Sequence, residues 1–263
     1  MVAIVLFLIT GSVTGLLAGL LGVGGGVVVV PSLAYIFNYM GMPHNAIMHM
    51  AASTSLAAMI FTTLMAVIAQ QKRKMINWAV FRTLAPAIVI GTILGTSIAS
   101  LLPSHVLKII FGLFMFFIAV RMLLQKKQSE EMTRPLPHLY IQYGAGFAVG
   151  ALSGMLGIGG GALTIPILLQ FGLPAHQSAA TSSACALLLS VIGTLSFMIL
   201  GWYEPPATGV ASYVNWTAAI LIAITSMIFV PLGTRLAGRL SGHHLKQVFA
   251  VFLLLVGLDM LLR

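Results

Sequence analysis

The segment Gly15–Pro31, GLLAGLLGVGGGVVVVP, returns later in the chain as Gly150–Pro166, GALSGMLGIGGGALTIP. Gly15, Gly19, Gly22 and the run Gly24–Gly26 match Gly150, Gly154, Gly157 and Gly159–Gly161 at one offset (150 − 15 = 135), and Pro31 matches Pro166. This duplicated, glycine-interrupted apolar segment constrains the fold more than any other feature. Glycine clusters are poor helix interior. In hydrocarbon, a broken helix leaves backbone N–H and C=O groups unpaired unless the break is buried in protein or lines a cavity. Two such breaks at corresponding places of two halves point to the binding site of a transporter.

Composition supplies the setting. The 263 residues are 59% hydrophobic and only 6% charged, against about 25% charged in a soluble domain. The chain therefore reads as an all-α, polytopic membrane protein. Its formal charge of +9 is not a nucleic-acid signature: the basic residues sit in short loops, the pattern of topology signals. The lone Cys185 excludes an internal disulfide or a multi-cysteine metal site and fits a buried packing role. The N-terminal run has no positive n-region, and its end belongs to the repeat, so it reads as a retained first helix and not as a leader.

Each half holds five apolar segments. In the first half these are about Val2–Leu21, Val27–Tyr39, Ala51–Ala69, Trp78–Leu101 and His105–Leu124. Residues 1–124 form the first repeat, 125–138 a polar linker and 139–263 the second repeat. Asn77-Trp78 and Gly95-Thr96 return as Asn215-Trp216 and Gly233-Thr234 (215 − 77 = 138), and His105, Leu107, Lys108 and Phe111 recur at the same offset. His44 and His176 fill turns beside Pro43 and Pro174, and His49 has no histidine partner in this alignment. The loop with Lys72, Arg73 and Lys74 belongs on the cytoplasmic side, whereas its equivalent, Gly201–Asn215, has no Lys or Arg. Equivalent loops on opposite sides require an odd number of crossings per half. The repeats are expected to be inverted, with broken helices at the glycine motifs, a cytoplasmic linker and both termini periplasmic. The second segments are short for a span, and crossing and dipping back both stay open for them, which gives eight to ten crossings.

The candidate binding groups follow from this frame. Gly24, Gly25, Gly26, Gly159, Gly160 and Gly161 are too dense for helix packing alone and offer free N–H donors at helix N-termini. Gly15, Gly19 and Gly22 are better explained by close helix packing. The hydroxyls of Ser53, Thr54, Ser55, Thr181, Ser182 and Ser183 can donate to an anion, and by symmetry the two trios are expected to converge on one pocket. They also suit capping and back-bonding. Asn77 and Asn215 read as helix N-caps beside interfacial tryptophans. Arg82 and Arg235 are candidates for a cytoplasmic vestibule. The only carboxylates are Glu130, Glu131, Glu204 and Asp259, none at the expected bilayer centre. A carboxylate proton relay, a carboxylate metal path and a hydrolase site are therefore disfavoured. Nothing calls for a metal or an organic cofactor.

On GLLGVGGGVVVVP, GMLGIGGGALTIP, the AASTS and ATSSA stretches and the paired GT dipeptides, the chain resembles the TauE/SafE sulfite exporter family, also called the four-toluene-sulfonate uptake permease family. The resemblance implies transport of a small sulfur-containing anion, such as sulfite, sulfoacetate or another sulfonate, across a bacterial inner membrane. The expected mechanism is secondary transport by alternating access, with H+ or Na+ as the coupling ion, membrane lipid as the surroundings and no nucleic-acid partner. An anion channel and a non-transporting membrane assembly factor are the alternatives.

Overall fold

The computed structural model describes residues 2–21, 25–124, 136–203, 213–237 and 242–262, without the side chains at 21, 122, 124, 203, 234, 235, 237 and 242–249. Regular structure among the described residues is entirely helical. The first half comprises α1 (Val2–Leu21), α2 (Gly26–Tyr39), α3 (Ile47–Lys72), α4 (Trp78–Leu101) and α5 (Ser104–Leu124); the second comprises α6 (Leu139–Leu156), α7 (Gly161–Gln170), α8 (Ala175–Tyr203), α9 (Trp216–Ala237) and α10 (Gly242–Leu262). Seven helices among the described residues (α1, α3, α4, α5, α6, α8 and α9) are long and apolar enough to cross a membrane. The 14 residues of α2 and 10 of α7 reach only about 21 and 15 Å, short of a hydrocarbon core of about 30 Å.

The helices are apolar on their outer faces as well. On α4, Ile90, Leu94, Ile98 and Leu101 are exposed, while Ile88, Thr92, Gly95, Thr96 and Ala99 are buried. A polar inner stripe and an apolar outer one suit lipid as solvent. The glycines of the inner stripe make the tightest seams. A Cβ at Gly15 would come within 2.7 Å of Ser226 Cα, and one at Gly150 within 3.0 Å of Ile88 Cα. Gly15 and Gly150, and likewise Ser226 and Ile88, occupy matching places in the two halves. Small residues thus bring α1 onto α9 and α6 onto α4.

The packing has the same form in both halves. Exchanging α1–α5 for α6–α10 turns α4/α6 into α9/α1, α4/α8 into α9/α3 and α2/α3 into α7/α8, all of which pack. The helices α3 and α8, which match each other, pack antiparallel. Leu56 near the start of α3 meets Gly193, and Val67 further along packs on the cluster holding Ala180 and Ala184. The matching helices α5 and α10 also run antiparallel, because Gly112 faces Gly257 and Leu261 while Gly257 faces Phe116.

The start of α3 differs from expectation. Helix α3 starts at Ile47, four residues before Ala51, because Pro43 and the turn after it end the preceding segment and Ser104 Oγ on α5 accepts the Met48 N–H at 3.1 Å. A cap supplied by a distant helix leaves no local sequence signal. The Ser53-Thr54-Ser55 trio therefore lies inside α3 and does not open it.

Candidate functional site

The two glycine segments meet. A Cβ on Gly26, the first residue of α2, would lie 2.8 Å from both Gly157 O and Ile158 Cα. No side chain fits between the start of α2 and the end of α6, so these glycines are selected for backbone contact. Gly157 ends α6 in the left-handed region at φ 72°, and the Ile158 N–H closes back onto Ser153 O at 3.1 Å. Gly159 and Gly160 continue at φ 71° and 76°, a run that residues with side chains rarely adopt. Gly161 then starts α7. Gly25, which precedes α2, has an ordinary φ of −72°, so the two segments are built differently. Gly24 and the side chain of Arg235 lie outside the described residues.

Helix α3 holds this junction. Ser55 Oγ donates to Gly157 O at 2.8 Å, and a Cβ at Gly157 would press on the Ala52 backbone. Met59, one turn further, packs on Gly159 and also lines a small cavity beside Gly25.

The hydroxyl trios are not brought to one pocket. Thr54 Oγ1 accepts the Asn215 N–H at 3.0 Å, and Thr181 Oγ1 accepts the Asn77 N–H at 3.0 Å. Each asparagine caps its own helix: Asn77 Oδ1 accepts from Val80 N at 3.2 Å and Asn215 Oδ1 from Ala218 N at 3.0 Å. Thr54 thus ties α3 to the start of α9, and Thr181 ties α8 to the start of α4. Ala180 packs in the Val67 cluster, 13 residues along α3 from Thr54, so the trios stand about 20 Å apart. Antiparallel packing of α3 and α8 sends equivalent residues to opposite ends, which is why convergence fails. Of the others, Ser53 Oγ donates to Tyr213 O at 2.7 Å, Ser183 Oγ donates to Ala179 O at 3.0 Å, and Ser182 is buried. Arg82 is exposed near the start of α4, outside the buried centre.

The equivalent bonds also correct the alignment. Thr54 matches Thr181 (181 − 54 = 127), so Ser55 matches Ser182 and Ser53 matches Ala180. The same register pairs His49 with His176, not His44 with His176. His49 is buried and bonds Ala99 O through Nε2 at 2.9 Å, with its ring stacked 5.4 Å from that of Tyr213. Together with Ser53 and Thr54 it fastens the Tyr213–Asn215 segment onto α3. His176 is exposed.

The fold and this centre define a multi-pass membrane protein, all-helical among the described residues, in which the start of α2 abuts the glycine turn after α6. Residues 7–260 match the model of the family "Sulfite exporter TauE/SafE", and the chain belongs to that family. It is 32% identical over 261 residues to a "Probable membrane transporter protein" of Haemophilus influenzae, covering 99% of this chain and 98% of the relative. It is 30% identical to one of Methanocaldococcus jannaschii (98% and 95%) and 26% identical to one of Bacillus subtilis (98% and 97%). The relatives are named as membrane transporters.

Proposed function

We propose that this protein is a secondary transporter that carries a small sulfur-containing anion across the inner membrane by alternating access of two inverted repeats. The observation that carries the reading is the contact of Gly26 with Gly157 and Ile158. The start of α2 lies against the turn between α6 and α7, where the first backbone N–H groups of a helix have no intrahelical partner, and the N-termini of α2 and α7 add about half a positive charge each. Gly25, Gly26, Gly159, Gly160 and Gly161 form the anion cradle, with Gly24 as its sequence neighbour. Ser55 fixes the cradle through Gly157 O, while Thr54 and Thr181 act as positioning residues at the two ends. Inversion is supported by the antiparallel packing of α3 on α8 and α5 on α10, since repeats of like orientation would lay matched helices parallel. The sulfur-anion class is supported by the family and by the absence of Asp or Glu among the described residues that line the Gly25 cavity.

The test is flux in proteoliposomes. Sulfite, sulfoacetate or taurine should accumulate against its own gradient when a H+ or Na+ gradient is imposed. Flux that only equilibrates would assign a channel, and no flux of any of the three would sink the reading.

A further inference from the structure

The outer stripe of α4 does not begin apolar. Arg82 and Pro86 are exposed ahead of Ile90, and residues four apart share one face of a helix. Arg82 therefore faces lipid, as Ile90 does. The outer face of α6 carries Tyr140, Tyr143, Gly144 and Phe147, all exposed. The two helices run side by side in the same direction, with Gly146 against Leu84 and Gly150 against Ile88. Thr83 Oγ1 donates to Gln142 Oε1 at 2.7 Å, which sets Arg82 level with the two tyrosines. Between the helices lies an open apolar groove of about 490 Å3, lined by Pro86, Ala87, Ile90, Tyr143, Gly144 and Phe147. Its floor is made by missing side chains: a Cβ on Gly144 would meet nothing within 4 Å.

The chemistry at the end of this groove selects its occupant. Arg82 is the fifth residue of α4, about 6 Å from the helix start, so its guanidinium reaches the head-group layer while its stem stays against hydrocarbon. The carboxylate among the described residues, Asp259, lies near the end of α10, which packs on α5. The charge on Arg82 is thus open to an external anion. Pro86 has no N–H, so the Arg82 carbonyl also lacks its helical donor and is left as an acceptor at the same level. Lys72, Arg73 and Lys74, exposed just before α4, draw anionic lipid to this face, and tyrosines belong at that depth. The matching seam of α1 and α9 has Ile220, Ile224 and Ile228 for Arg82, Pro86 and Ile90, and Ile9 for Gly144. It has neither the charge nor the missing side chain.

We propose that this groove binds one anionic glycerophospholipid, with its phosphate on Arg82 and one acyl chain in the channel between Pro86 and Phe147. Guanidinium and phosphate pair through two parallel hydrogen bonds, and basic pockets between membrane helices suit such head groups. Arg82 then serves a lipid head group and not a vestibule. A second copy of the chain is a poorer occupant. A two-fold seam centred on the groove is self-complementary, so it would bring one Arg82 onto the other, and like charges repel. The site is independent of the transported anion and of the transport cycle.

Native mass spectrometry of the full chain in detergent tests this, with phosphatidylglycerol and phosphatidylcholine of identical acyl chains titrated in parallel. The expected result is one tightly held phosphatidylglycerol, preferred about fivefold over phosphatidylcholine, as one arginine at a membrane surface supplies. Arg82→Gln should bring the ratio to about one, Arg82→Lys should keep it, and Ile220→Gln in the matching seam should leave it unaltered. Gly144→Trp fills the open space and should lower occupancy by both lipids while the protein stays monodisperse. A fivefold preference that survives Arg82→Gln, or full occupancy in folded Gly144→Trp, overturns the site. A wild-type dimer that Gly144→Trp converts to a monomer also overturns it and assigns the groove to a second copy.

Discussion

Thr54 and Thr181 each accept a backbone N–H from an asparagine that is already occupied in capping a helix. Valine at either position keeps the shape and removes the acceptor. The orphaned N–H should cost about 1–3 kcal/mol, read as a lower unfolding midpoint in detergent. The two losses should add in Thr54→Val/Thr181→Val, because sites this far apart share no partner. Serine at either site keeps the acceptor and should recover most of the loss. A midpoint unchanged by valine would show that water replaces the hydroxyl. The left-handed glycines permit a sharper comparison. Gly157 and Gly41 have nearly the same φ, 72° and 73°, but a Cβ at Gly157 would come within 2.5 Å of Ala52 Cα while nothing lies within 4 Å at Gly41. Gly41→Ala should cost only the conformational penalty of about 1–2 kcal/mol. Gly157→Ala should prevent recovery of monodisperse protein, because the obstacle is backbone and cannot rotate away. Similar midpoints for both variants would mean that the α3–α6 contact is loose.

At the scale of elements, the glycine seams make the same kind of demand. A Cβ on Gly95 would lie 2.8 Å from Ala151 Cα, and one on Gly233 3.0 Å from Gly19 Cα, whereas Gly144 on α6 faces open space. Gly95→Val and Gly233→Val should each abolish a monodisperse peak in size-exclusion chromatography, and Gly144→Val should leave it intact. These seams, the limits of α1, α4 and α5 and the short second segments were largely legible in the sequence. They follow from local signals: glycine spacing, an Asn before an apolar run, segment length. The site was legible only in part. The glycine runs stand out because density of one residue type is a local property. The register of α3 on α8 was hidden, because α2 has 14 residues against 10 in α7 and the connection after α2 is also the longer one, so that the offset falls from 135 to 127. In the slipped register His49 has no histidine partner.

For the whole molecule, the decisive question is whether the two copies are inverted, because alternating access about one fixed centre depends on it. Lys72 ends α3, Arg73 and Lys74 follow it, and Arg73 is exposed. Trp202 near the end of α8, the matching helix, is 76% exposed. Repeats of like orientation would put both ends on one face of the membrane, and inverted repeats put them on opposite faces. The native background is silent, since Cys185 is buried. Arg73→Cys and Trp202→Cys therefore report separately. In intact cells, a membrane-impermeant maleimide should label Cys at 202 and spare Cys at 73, and after permeabilisation both should react. Loss of one of three positive charges should not reorient the chain, because two remain in the loop and the bias is set by the basic residues of all short loops together. Labelling of both, or of neither, before permeabilisation would place α3 and α8 the same way up. The antiparallel packing of Leu56 on Gly193 and of Val67 on the cluster holding Ala180 would then be incompatible with the membrane topology, and transport by rocking of opposed halves would have no structural basis.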